Sequence, residues 1–272
     1  MPMHLNPVPN VPKLDAIAIS IDPIKESGRS KPLAMHCASI SSPQITEYIV
    51  KLYGNLDLKQ QSLARELYGS LLAYVMGFDT PDPAVINVPL RLADLAIQQK
   101  IKTDILNSPG LNFGSKTISP AITFENVPDG LFQSAVDIFA FDMLLRNPDR
   151  RVDKPNLFQN NSCFILYDHE MAFPYSFPIM YLNSLPEPWD LRGDGFIKNH
   201  IMYLPIYQKR PDCSFDNFIV KLKEISDDIF DKIQEQIPDD WQGEGVDNIT
   251  AYLKKARDNA DKFKKGLLEV LA

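Results

Sequence analysis

Cysteine is scarce in this chain of 272 residues: Cys37, Cys163 and Cys213 stand far apart, and no C-x-x-C pair occurs. That spacing excludes a cysteine-built zinc site and a disulfide-stapled scaffold, and it predicts reduced, partly buried thiols. Long hydrophobic runs are missing too. The longest, such as Leu71 to Val75, fall far short of the roughly 20 residues that span a bilayer, so no membrane insertion is expected. Positive charge is not in excess, since 28 Lys and Arg stand against 35 Asp and Glu for a net charge of −7. This balance argues against direct nucleic-acid binding and against a chain-wide attraction to acidic lipid. The start, Met1-Pro2-Met3-His4-Leu5-Asn6-Pro7, has neither the basic residues nor the apolar stretch of a secretory signal, which leads us to expect a cytoplasmic location. No internal repeat is detectable.

What remains is ordinary globular usage, with 44% hydrophobic and 23% charged residues, and a length that suffices to bury a core without staples. Residues 1–12 carry Pro2, Pro7, Pro9 and Pro12, which remove ladder donors and hold the backbone extended, so they read as an arm before the fold. Alternation at Ile17, Ile19 and Ile21, then at Met35 and Cys37, and the β-rich stretch Tyr48-Ile49-Val50-Lys51-Leu52-Tyr53 predict three strands in a meander. Between the first two lies Gly28-Arg29-Ser30-Lys31-Pro32, a turn with free amides and two cations that suits an anion.

Leu63, Leu67, Leu71 and Tyr74 recur at three- and four-residue intervals, which predicts a helix from Asp57 to Met76 ended by Gly77. Ala84 to Val88 reads as a further strand. The pattern weakens from Pro89 to Pro128, where a junction is expected. Leu131, Ala135, Ile138, Phe139, Leu144 and Leu145 form one face of a helix stopped by Asn147-Pro148. Asn156-Leu157-Phe158 and Cys163 to Tyr167 have the grammar of a hairpin, and two long helices are expected over Phe215 to Gln236 and Val246 to Leu271.

The chemistry-bearing stretch runs from Arg146-Asn147-Pro148-Asp149-Arg150 to Lys154-Pro155-Asn156, and Asp168-His169-Glu170 follows. One short turn thus brings together a loop carboxylate, an amide and a carboxylate at a strand end. Phosphoryl transfer uses such a set: one carboxylate orients the attacking hydroxyl, while an amide oxygen and a second carboxylate are hard ligands for magnesium. It also needs a strand lysine held by a helix glutamate, and Lys51 and Glu66 suit that description. Singly, each has a plain structural reading: a solvated strand-end lysine, a surface helix glutamate, two turn caps. Their joint order is what points to kinase chemistry. His169 reads as a buried imidazole that donates to a carbonyl or carboxylate, and Asp142 as an anchor bonded to loop amides. His4, His36 and His200 have no companions at metal-ligand spacing.

On the segments Gly28 to Pro32, Tyr48 to Lys51 with Gly54-Asn55, Glu66-Leu67, Asn112 to Ser115, Phe141 to Arg150, Pro155 to Leu157 and Asp168 to Phe173, the chain resembles the HipA-like kinases. That branch is related in layout to protein kinases and phosphoinositide kinases. The resemblance implies an α+β, two-lobed kinase-like fold: a small antiparallel β-rich N-lobe over 13–90 and a larger, mainly helical C-lobe over 91–272. It implies an ATP-dependent phosphotransferase in which Gly28, Arg29, Ser30 and Lys31 cover phosphates and Lys51, supported by Glu66, contacts them. Asp149 would be the catalytic carboxylate, and Asn156 and Asp168 would bind Mg2+. The expected acceptor is a protein Ser or Thr hydroxyl; a lipid or small alcohol is the alternative, as is a nucleotide-binding pseudokinase. Some members act as toxins, so the resemblance also raises a regulatory or antitoxin-like partner.

Three departures accompany it. The G-x-G-x-x-G loop and the H-R-D triplet of ordinary protein kinases are absent, Pro148-Asp149-Arg150 standing for the latter. Lys154 replaces the first asparagine of the Asn-Pro-Asn common in this branch. Glu170 stands where glycine often follows, which suggests a metal loop that does not flip.

Overall fold

A computed structural model describes residues 4–23, 31–39, 44–119, 122–160, 162–174 and 186–272. Three antiparallel strands come first: β1 (Lys13–Pro23), β2 (Leu33–Ser39) and β3 (Ile45–Lys51), the meander expected from their alternation. Then α1 (Gln60–Val75) leads to β4 (Pro83–Val88), α2 (Gln99–Leu106) and β5 (Gly110–Lys116). β5 pairs with both β3 and β4, and β4 returns to pair parallel with β1, which closes a five-stranded barrel.

Its interior is filled by Leu14, Met35, Val50, Ile86 and neighbours, capped by Ile101 and Ile105 of α2. The weakly patterned stretch after Pro89 therefore contributes a helix and a full strand to the barrel. The sequence hid β5 because Gly110, Asn112, Gly114 and Ser115 are poor strand formers. Gly114 is required there: a Cβ would lie 2.6 Å from Ile86 Cγ1.

The larger hydrophobic cluster is helical. α1 is buried on nearly every side, from Ser62 through Ala73, and so is α3 (Phe132–Leu145), whose Ile138, Phe139, Phe141 and Leu144 are fully enclosed. A helix apolar all round belongs inside a protein. The hairpin follows as β6 (Leu157–Gln159) and β7 (Phe164–Leu166).

After a short α4 (Tyr203–Gln208), each expected long helix is two helices: α5 (Asp216–Glu224) and α6 (Asp227–Glu235), then α7 (Glu244–Asp258) and α8 (Ala260–Glu269). Ser226 makes the first break, since its Oγ accepts from the Ile229 amide at 3.3 Å and caps α6. Asn259, at φ −120°, makes the second. Both halves keep their apolar faces on one core, which is why the periodicity looked continuous. No described helix is long and apolar enough to cross a membrane.

Residues 4–12 form neither helix nor strand, and they are docked. The Asn6 amide donates to the Val75 carbonyl at 2.9 Å, the Val11 amide donates to Gln236 Oε1 at 3.1 Å, and Val11 is buried.

Candidate active site

Lys51 ends β3, and its register partner on β5 is Phe113, so the side chain leaves the barrel toward α1. Only a short turn separates β3 from α1, which puts Glu66, midway along that helix, within reach. Lys51 Nζ donates to Glu66 Oε2 at 2.8 Å, to Asp168 Oδ1 at 2.6 Å and to Glu170 Oε2 at 3.0 Å. All four side chains are almost wholly buried. Burial works against the ammonium, but Asp168, Glu66 and Glu170 outweigh it and hold Lys51 well above its ordinary pKa. One ammonium cannot neutralise three carboxylates. Burial accordingly pushes the Glu66 carboxyl up to about 7, with Lys51 offsetting part of the rise and Asp168 and Glu170 adding to it.

The loop after α3 supplies the other half. Arg146 ends that helix in the left-handed region at φ 48°, and the Asn147 side-chain oxygen accepts from the Asp149 amide at 3.1 Å, an Asx turn that aims the Asp149 carboxylate back toward the hairpin. Asn156 Nδ2 donates to the Asp149 carbonyl at 3.2 Å and to its Oδ2 at 3.1 Å. Lys154 Nζ sits 2.5 Å from Asp149 Oδ2 and 3.1 Å from Asp168 Oδ2. Asp168 thus holds one lysine on each oxygen, and these outweigh burial to keep it ionised well below the usual carboxylate range. Asn156 and Asp168 both have positive φ, 47° and 65°, a conformation that non-glycine residues keep mainly where the surroundings impose it.

Beneath the loop lies the anchor expected at Asp142, fully buried but with partners the sequence did not disclose. Asp142, a fully buried carboxylate near the end of α3, accepts from Arg150 Nε at 2.5 Å and from Asn147 Nδ2 at 3.1 Å, and its Oδ2 lies 3.0 Å from His200 Nε2. Its carboxylate partners are therefore side chains, not the backbone amides expected. Arg150 also donates to the carbonyls of Asn156 and Tyr167, which joins the Asp149 loop to the hairpin ends. The signal for this network was present: a charge buried inside a helix requires a partner. His200 lacked any companion in sequence because Asp142 is 58 residues away.

His169 is held differently from the expectation as well. It is fully buried, but neither ring nitrogen has a hydrogen-bond partner, and packing fixes it instead against Gly69 of α1 and edge-on to Phe141 at 5.9 Å. Burial, helped by the nearby Arg150 charge, pushes its pKa down to about 3, so the ring is neutral.

Of the residues expected at the site, Lys51, Glu66, Asp149, Asn156 and Asp168 converge. Gly28, Arg29 and Ser30 lie outside the described residues. Lys31, at φ 37° just before β2, has no hydrogen bond or ion pair to the Lys51 cluster among the described residues. Glu170 was read as a stiffener of the metal loop, and its direct bond to Lys51 was missed. The donor set fits a hard divalent cation: Asp168 and Asp149 offer carboxylate oxygens, and Asn156, its nitrogen committed to Asp149, offers its amide oxygen. An ammonium on each Asp168 oxygen still leaves lone pairs for a metal.

This fold and site belong to a phosphotransferase class, and the comparisons agree. The model of the HipA-like kinase family matches residues 26–266, so the chain belongs to that family and is a kinase. The crystal structure of a Helicobacter pylori proinflammatory kinase, CtkA, is similar over 95% of this chain and 99% of that one, with a TM-score of 0.53 and 12% sequence identity, a likeness of fold. No curated protein sequence matches the chain.

Proposed function

We propose that this kinase transfers the γ-phosphoryl of ATP, with Mg2+, to a Ser or Thr hydroxyl of a protein in the cytoplasm. The observation that carries this reading is the unbroken chain of contacts from Lys51 through Asp168 and Lys154 to Asp149. Lys51 is placed to neutralise the phosphates, with Glu66 and Glu170 holding its ammonium in position. Mg2+, when bound by Asp168 and Asn156, would supply further positive charge at the phosphates. Asp149 orients the acceptor hydroxyl and takes its proton as the oxygen attacks. Its side chain is somewhat more exposed than those of Lys51 and Asp168, as the acceptor end of a cleft should be.

In this reading the barrel through Lys116 serves as the N-lobe, beyond the limit near residue 90 that pattern alone suggested, and the helices form the C-lobe. The loop at Gly28 to Lys31 covers the phosphates. The docked arm belongs to neither lobe.

The test is incubation with γ-labelled ATP and Mg2+ beside Asp149→Ala and Asp168→Ala, with label on protein read by autoradiography and mass spectrometry. Label that both variants lose supports the reading. ATP binding without label on protein, lipid or small alcohols supports a pseudokinase, and no response of the melting temperature to ATP or Mg2+ removes the nucleotide reading altogether.

A further inference from the structure

We propose that Lys154 is a fixed cation that takes the place of a second divalent ion, so that the site works with one metal. The inference rests on the kinase reading above and concerns how its charge is supplied.

Three observations carry it. First, Lys154 Nζ lies 2.5 Å from Asp149 Oδ2 and 3.1 Å from Asp168 Oδ2, directly between the two carboxylates that an additional cation would have to bridge. Second, although the Lys154 side chain is 39% exposed, both ends of its reach are anchored. Its backbone is pinned by a reciprocal pair of hydrogen bonds with Arg151, Arg151 N to Lys154 O at 3.0 Å and Lys154 N to Arg151 O at 3.1 Å, and both partner carboxylates are largely buried. Third, the gap admits one positive centre. A magnesium ion seats about 2.0–2.1 Å from its oxygens, so one bridging Asp149 and Asp168 would meet the ammonium head-on at a separation where like charges repel strongly.

Asp168 and Asn156, beside Lys51, would hold the remaining ion.

The experiment counts bound metal rather than turnover. Mn2+ is titrated by electron paramagnetic resonance into the full chain saturated with adenylyl imidodiphosphate, beside Lys154→Arg, Lys154→Asn and Lys154→Gln, with melting curves to verify folding. The expected result is one Mn2+ per nucleotide-bound chain in the wild type and in Lys154→Arg, and two in Lys154→Asn or Lys154→Gln, which remove the charge and offer an amide oxygen. Any other count in the nucleotide-bound wild type, or a single Mn2+ in both amide variants, overturns the inference while leaving the kinase reading in place. A wild type that binds no nucleotide overturns both.

Discussion

Lys51 donates to Oδ1 of Asp168 at 2.6 Å across 117 residues of chain, and this bond joins the end of a barrel strand to the end of the hairpin. Two parts of the fold that share little backbone pairing are thereby locked at the cluster we propose to face the nucleotide. Because the lysine also serves Glu66 and Glu170, removing it leaves three buried carboxylates facing one another.

Lys51→Met is therefore expected to abolish phosphoryl transfer and to lower stability by about 3–5 kcal/mol, as breaking a buried charge network does. Urea unfolding measures the second effect. Adding Glu170→Gln to that variant should recover part of the stability and none of the activity; recovery of activity would deny Lys51 its role.

Glu170→Gln alone removes one competitor for the ammonium and one negative charge near the phosphates. ATP is expected to bind several-fold more tightly, on the order of 1 kcal/mol, in calorimetric titration. Weaker binding would mean that Glu170 serves chiefly to position Lys51.

The Asp142 anchor has a predictable acid signature. Burial would raise its pKa, but Arg150 and His200 outweigh it and hold the folded value well below the unfolded one. With the folded pKa depressed, its contribution is fully present above the unfolded value of about 3.9 and is lost as pH falls below it. Asp142→Ala, which leaves Arg150 without its carboxylate, should cost about 3–5 kcal/mol at pH 7. The gap to the wild type should narrow below about pH 4, and a gap unchanged at pH 3 in denaturation curves would count against the ion pair.

Gly69→Ala would place a Cβ 2.7 Å from His169 Cβ and 2.9 Å from its Cγ. Overpacking of this kind costs about 1–3 kcal/mol. Because His169 adjoins Asp168, activity should fall at temperatures where the variant is still folded by circular dichroism; activity that tracks folded fraction alone would show the contact to be merely structural.

The legible part of this site was local. A lysine closing a β-branched strand, a glutamate inside the next helix and an Asn-Pro-Asp turn each announce their own backbone setting, so Lys51, Glu66 and Asp149 could be placed before any coordinates. Arg150, His200 and Glu170 could not be assigned in this way, because their partners are fixed by tertiary packing between residues remote in sequence or across a turn. β5 was hidden for a different reason: its Gly114 suits close approach to Ile86 rather than strand propensity. The paired helices at the C-terminal end were merged because period alone does not register a one- or two-residue break when both halves face the same core.

The docked start of the chain bears on how this protein is made. Val11 bonds to Gln236, 225 residues later, and β1 cannot complete its barrel until β4 and β5 exist. During synthesis, which runs N-terminus first, Val11 emerges long before the Gln236 to which it bonds. Such distant pairings are slow to form, so the barrel can close once β5 has been made, whereas its fastening beside α6 awaits Gln236.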